Sequence, residues 1–212
     1  MFVVTMTQRT TEPSEQNVRA LQKELAQRLG ADLPGSWAAD STMYQQVLTS
    51  SHHVVEMALH AMRLGTWNVG IGVGSVVENG NGLDGSGVKA AALAVSIAAK
   101  QGQLVPLRVE AAKPPRGVEQ TQLGQHTQSV LQLLGHIVSR RSTAEWAVLD
   151  QLTPGVRGQQ RRVAEELDMT VQAVSQAIKR SLYNTEHDVR SAVSLLLDQT
   201  GAAVTIQSNS GY

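Results

Sequence analysis

Every β-type run with a clear pattern lies in the first 112 residues of this 212-residue chain, and no strand pattern follows before the tail. Strands in that part and helices alone beyond it argue for an α+β N-terminal domain followed by an all-α C-terminal one. Phe2–Thr7 (FVVTMT) is a compact β-branched run. Glu15–Leu29 repeats Val18, Leu21, Leu25 and Leu29 at helical spacing and ends at Gly30. Ser36–Ala39 and Met43–Thr49 flank Asp40-Ser41-Thr42 as a hairpin. Ser51–Leu64 is a helix closed by Gly65, and Trp67–Val77 (WNVGIGVGSVV) is a long strand. The glycine-rich loop Glu78–Gly87, an alanine-rich helix over Val88–Lys100 and a last strand at Leu104–Val109 complete the order β-α-β-β-α-β-α-β. That order predicts one sheet with its helices on one face.

Ala111–Gly117 (AAKPPRG) carries two prolines, so the expected domain boundary is a linker at 113–118, between an α+β domain at 1–112 and an all-α domain at 119–199. Glu119–Arg141 is a helix with Leu123, Val130 and Ile137 seven apart, Leu134 between them, and a polar series of glutamines elsewhere. Thr143–Leu152, Arg157–Leu167, Thr170–Leu182 and Glu186–Gln199 read as further helices, and 200–212 as a flexible tail.

Composition narrows the function. The chain is 42% hydrophobic, enough for a real core, but only 3% aromatic, too few rings to stack single-stranded bases. It has no cysteine, which excludes disulfides, thiolate metal sites and cysteine nucleophiles. No apolar stretch approaches the roughly 20 residues of a membrane span, and Met1–Met6 has no basic region before it. A cytoplasmic protein without membrane partners is expected. Lysine plus arginine balance aspartate plus glutamate at 18 each. The balance is not local: from Lys113 to Tyr183 there are nine basic residues against six acidic ones, so the helical region is mildly basic.

The most specific segment is Gln160–Arg180, QRRVAEELDMTVQAVSQAIKR. Val163, Ala164 and Leu167 form the inner face of one helix, and Val174 and Ile178 that of the next. Asp168-Met169-Thr170 is the turn, with Thr170 as N-cap. The outward face of the second helix then carries Thr170, Val171, Gln172, Ser175, Gln176 and Lys179. Glutamine and serine side chains suit base edges in the major groove, and valine suits a thymine methyl. Arg157, Arg161, Arg162, Lys179 and Arg180 suit phosphates. The segment resembles the helix-turn-helix of phage repressors and sigma-factor-like regulators over about twenty residues, most strongly in AVSQAI (Ala173–Ile178). The resemblance implies sequence-specific binding of double-stranded DNA, commonly by a homodimer, and adds Gln160 to the phosphate contacts. It departs where Asp168 stands at the turn position usually held by glycine; aspartate tolerates the left-handed conformation.

The hairpin Ala38–Val47 and the strand-loop-helix Val69–Lys100 resemble the nucleotidyl cyclase-like ferredoxin fold, and the layout is similar to the SatD family of small bacterial proteins. Cyclisation by two metals needs paired carboxylates. The first strand has no acid, and the hairpin has only Asp40, so the domain is expected to be non-catalytic, without cofactor or metal. The alternative is a nucleotide-binding or nucleotide-converting enzyme built on Asp40 and the Asn79–Gly87 loop. GIGVG (Gly70–Gly74) lies inside a β-type run, so close helix packing or a strand bend explains its glycines better than a dinucleotide loop does. His52, Glu56 and His60 share a helix face, read as solvated and polar rather than as a metal site. The homodimer has two candidate surfaces, the helices Glu119–Arg141 and Glu186–Gln199. An effector of unknown identity is a further candidate partner.

Overall fold

A computed structural model of the protein describes residues 1–30, 37–80, 82–100, 102–112 and 119–209. The central strand β1 (Phe2–Gln8) alternates its side chains between two covered faces. It runs antiparallel to β3 (Met43–Leu48) on one side and to β4 (Trp67–Val73) on the other, so that Val4 stands opposite Gln46 and Ile71. The edge strand β2 (Trp37–Ala39) pairs antiparallel with β3. A small separate hairpin pairs β5 (Val77–Asn79) with β6 (Gly82–Asp84), and β7 (Leu107–Ala111) pairs parallel with β4. The five-stranded order is β2-β3-β1-β4-β7. The long strand expected over Trp67–Val77 stops at Val73, and much of the expected loop is the β5–β6 hairpin.

The helices take both faces, not one. Helices α1 (Glu15–Leu29) and α2 (Ser51–Leu64) pack on the face carrying Phe2, Val4, Met6, Ile71 and Val73. Helix α3 (Ser86–Ala98) lies on the opposite face, where Val3, Val47 and Ala91 meet. The crossovers β3–α2–β4 and β4–α3–β7 step the same way across the sheet on opposite sides, so one of them has the uncommon hand. Glycine explains why α3 settles there. A Cβ on Gly72 would stand 2.2 Å from the Gly87 carbonyl oxygen, and one on Gly70 would stand 2.3 Å from the Val95 nitrogen. The alternate glycines of β4 strip that face of side chains, and α3 meets them with Gly87, Ala91 and the backbone of Val95. The GIGVG glycines are therefore packing residues, as expected.

The large core continues past the expected domain boundary. The linker at 113–118 lies outside the described residues, but α4 (Glu119–Ser139) and α8 (Tyr183–Asn209) contribute Leu131, Leu134, Val138, Val193 and Leu197 to the core of the sheet. Each buried aliphatic side chain of this kind contributes about 1.5–3 kcal/mol, so these helices belong energetically to the α+β body. Helix α4 also closes the edge of β7. The Val109 N–H donates to Gln128 Oε1 (3.2 Å), and Gln132 Nε2 donates to the Leu107 carbonyl (2.8 Å). Two glutamines of the polar series thus stand in for a further strand. The segment from 200, expected to be flexible, is helical to Asn209, and buried Thr200 lies 3.2 Å from Thr127 on α4. Among the described residues, no helix is long and apolar enough to cross a membrane.

If the bare face of β4 seats α3, Gly72→Ala should lower the unfolding free energy by about 3 kcal/mol or more, as overpacking against backbone demands. Gly80→Ala, where a Cβ meets nothing within 4 Å, should stay within about 0.5 kcal/mol of wild type. Urea denaturation of both variants measures the difference.

Candidate nucleic-acid interface

Between α4 and α8 the chain builds a second, smaller core. Helices α5 (Thr143–Leu149), α6 (Gln160–Glu166) and α7 (Val171–Arg180) bury Val148, Val163, Ala164, Val174 and Ala177 against one another. Ser142 opens α5 with a reciprocal capping box, and its N–H bond holds the Glu145 carboxyl below the ordinary carboxylate range. The loop before α6 is stapled by Gln159. Its Oε1 accepts from the Thr153 N–H (2.8 Å), and its Nε2 donates to the carbonyls of Thr153 (2.8 Å) and Val156 (2.9 Å).

The turn from α6 to α7 follows its sequence. Asp168 is left-handed, with φ 51°, and the Met169 N–H returns to the Ala164 carbonyl (2.9 Å), which caps the end of α6. Thr170 accepts from the Ala173 N–H (3.1 Å) and starts α7. Both helices are shorter than expected: α6 begins at Gln160 and α7 ends at Arg180, where Ser181 and left-handed Leu182 (φ 53°) lead into α8.

The expected base-contacting residues share one exposed surface. Thr170, Val171, Gln172, Ser175 and Gln176 are all exposed, while Val174 and Ala177 are buried beneath them. Lys179 and Arg180 extend that surface, and Arg157, Arg161 and Arg162 are exposed on the loop and α6. Gln160 is half-buried at the start of α6. Three of these arginines are engaged: Arg161 with Glu165 (3.5 Å), Arg162 with Glu166 (2.8 Å) and Arg180 with Glu145 (3.8 Å). Among the described residues, Arg157 and Lys179 have no ion pair. The Arg161–Glu165 pair is exposed, so it is weak and open to exchange, whereas Arg162 also donates to the Gln151 carbonyl (2.5 Å) and to Gln159 Oε1 (3.3 Å). Arg157 and Gln160 also line a cavity of about 600 Å³ with Ile178, Tyr183, Asn184 and His187. The rings of Tyr183 and His187 stack there at 6.2 Å. Nothing in the sequence pattern marked that cavity.

A buried ionic junction joins this unit to the rest, and sequence reasoning missed it. Arg141 and Glu186, both almost completely buried, pair at 3.3 Å. Arg190 bridges Glu186 to Glu56 of α2. Arg141 Nε donates to the Ser181 carbonyl (3.0 Å) at the end of α7, and Trp146 is covered by the guanidinium groups of Arg63 (4.0 Å) and Arg141 (4.9 Å). Arg63 donates to both Asp150 carboxylate oxygens at 2.6 Å, which holds that carboxyl below its usual range. One sign of the junction was legible: Arg141 interrupts an otherwise apolar helical rhythm.

The competing sites do not assemble. His60 Nε2 pairs with Glu24 (3.0 Å), and Glu56 faces Arg190, so the His52, Glu56 and His60 face is largely covered rather than solvated. Burial, opposed by the Glu24 bond, lowers the His60 pKa. Among the described residues, no group of three metal-ligating side chains converges. Asp40 Oδ1 accepts from the N–H groups of Thr42 and Met43 (2.7 Å each) and from the Thr42 hydroxyl (3.0 Å), which makes it a turn residue. No family model, curated protein or solved structure matches the chain.

The turn and the junction each have a stability consequence. Asp168→Gly should raise stability by about 0.5–1 kcal/mol and Asp168→Val should lower it by about 1–2 kcal/mol, because a Cβ is costly in the left-handed region. Arg141→Ala, which leaves buried Glu186 short of a partner, should cost about 3–5 kcal/mol. Thermal and urea melts read both.

Proposed function

We propose that this protein is a sequence-specific, dimeric double-stranded DNA-binding protein, a cytoplasmic bacterial transcriptional regulator that reads the major groove with α7. One observation carries the reading. Between Thr170 and Arg180 the chain has no acidic residue, and its exposed face combines Gln172, Ser175 and Gln176 with Lys179 and Arg180. Such a face offers hydrogen bonds to bases at its start and positive charge at its end. The capped, left-handed turn behind it supports a helix-turn-helix in which α6 braces α7. The base contacts in this reading are Thr170, Val171, Gln172, Ser175 and Gln176. Phosphates fall to Arg157, Gln160, Arg161, Arg162, Lys179 and Arg180.

The strand order supports a ferredoxin-like reading of the first four strands, with β7 added beside β4, in keeping with the cyclase-like and SatD-like resemblance. The domain is non-catalytic in this account, since the one carboxylate of its hairpin is committed to a turn. A small-molecule effector belongs in the cavity beside Arg157, Tyr183 and His187. Its volume of about 600 Å³ suits a small ligand, and it touches the C-terminal end of α7 through Ile178.

Binding to genomic fragments in a mobility-shift assay tests the function. Gln172→Ala and Gln176→Ala should each weaken the preferred sequence about 10-fold to 100-fold and leave non-specific binding unchanged, and Lys179→Ala should reduce the salt slope by about 1. A double glutamine variant that keeps its full sequence preference would overturn the assignment of α7.

A further inference from the structure

We propose that the outer face shared by α4 and α8 is a self-association surface, and that its partner is a second copy of this chain. The inference rests on the DNA-binding reading for its biological sense and for its spacing argument, but not for the exposed face and its lack of charge.

The two helices run antiparallel in a register fixed at both ends. Thr127 meets Thr200, and Arg141 meets Glu186. Residues 130–137 of α4 therefore lie beside residues 190–197 of α8. The inner sides of both stretches are buried in the large core. Their outer sides present Leu133, 59% exposed, and Leu195, 58% exposed, and Ile137 and Leu196 are half-buried on the same two stretches.

Charge points to a second copy. From Gln120 to Ser139 there is no Asp, Glu, Lys or Arg, and none from Ser191 to Leu197. A twofold interface brings each patch against itself, so any charge near its centre meets its own sign. A neutral apolar patch has no such conflict, and it offers nothing to a partner chosen by charge. Two antiparallel helix pairs facing one another form a four-helix packing arrangement.

Spacing gives an independent argument. Leu195 lies twelve residues beyond Tyr183, where α8 begins directly after α7. A twofold axis crossing α8 at right angles near Leu195 leaves the two Tyr183 ends about 36 Å apart, at about 1.5 Å of rise per residue. Recognition helices that read successive major grooves on one face of DNA stand about 34–36 Å apart.

Sedimentation equilibrium on the full chain without DNA tests the surface. The expected mass is twice the 22.7 kDa of one chain, and Leu133→Lys combined with Leu195→Lys should weaken the dimer by about 100-fold or more, in line with the loss of two central anchors. Both side chains are exposed, so the melting temperature of the monomeric variant should stay close to that of a wild-type sample diluted to monomer. Wild type that remains monomeric at about 100 μM, far weaker than a specific interface allows, overturns the inference; so does a double variant that dimerises as wild type does. The absence of cysteine permits a second measurement, a nitroxide on Asn184→Cys. Its pair distance should centre near about 33 Å, eleven residues on each side of the axis, and a distance below about 20 Å overturns the proposed axis. A dimer that ignores DNA keeps this inference and sinks the function, whereas a monomer that binds DNA does the reverse.

Discussion

The placement of α7 depends on the buried junction around Arg141. Its guanidinium sits where four elements meet: the end of α4, the end of α7 through the Ser181 carbonyl, α8 through Glu186, and α5 through Trp146. Burial alone would depress the pKa of Arg141, and Glu186 opposes that shift. Buried ion pairs are poor sources of net stability, because desolvation offsets much of the attraction. What this junction supplies is geometry. A guanidinium has a fixed fork of donors, and the carboxylate, carbonyl and ring around it leave one arrangement in which all are satisfied. The small core of α5, α6 and α7 has only five fully buried apolar residues, too few to stand alone. The junction and the Arg63–Asp150 pair orient that core on the α+β body.

The body shows the same economy in its sheet. An edge strand and a bare sheet face are both liabilities. The edge of β7 is closed by two glutamine side chains from α4 rather than by another strand, and the face of β4 by the backbone of α3 rather than by interdigitating side chains. Both solutions restrict the partner element closely. Gln128 and Gln132 fix the height of α4 along β7, and the glycines fix the depth of α3 over β4. With α4 held there, Arg141 at its end reaches the junction. The position of α7 is thus set through a chain of contacts that begins at the sheet.

The legible parts of this architecture were those governed by local rules. Helix periodicity, the Thr170 cap, the left-handed Asp168 and the packing role of the GIGVG glycines all follow from residues near one another in sequence. The illegible parts were tertiary. A glutamine on a helix looks the same whether it faces water or a strand edge, so Gln128 and Gln132 read as surface. The face chosen by α3, across the sheet from α2, depended on what β4 lacked. Proline-rich spacing at 113–118 suggested a domain boundary, yet the apolar stripes of α4 and α8 match a surface that α2 and β7 left uncovered. Arg141 stood out in its helical rhythm, but its partner Glu186 is 45 residues away in sequence.

The charge balance also takes on a different meaning at the candidate interface. The stretch from Thr143 to Leu182 holds five basic and five acidic residues, so it does not attract DNA as a body. The acids are arranged to pair. Glu165 and Glu166 stand one helical turn from Arg161 and Arg162, and Glu145 reaches Arg180. Exposed pairs of this kind are worth well under about 1 kcal/mol, so a phosphate can displace the carboxylate at little cost. The unpaired acidic groups are then left to water, and the net gain per contact is smaller than for a free arginine. Arg157 and Lys179 are not discounted in this way, which makes them the stronger anchors. A surface built on partly compensated arginines binds non-specific DNA weakly, and its discrimination then falls to the polar face of α7.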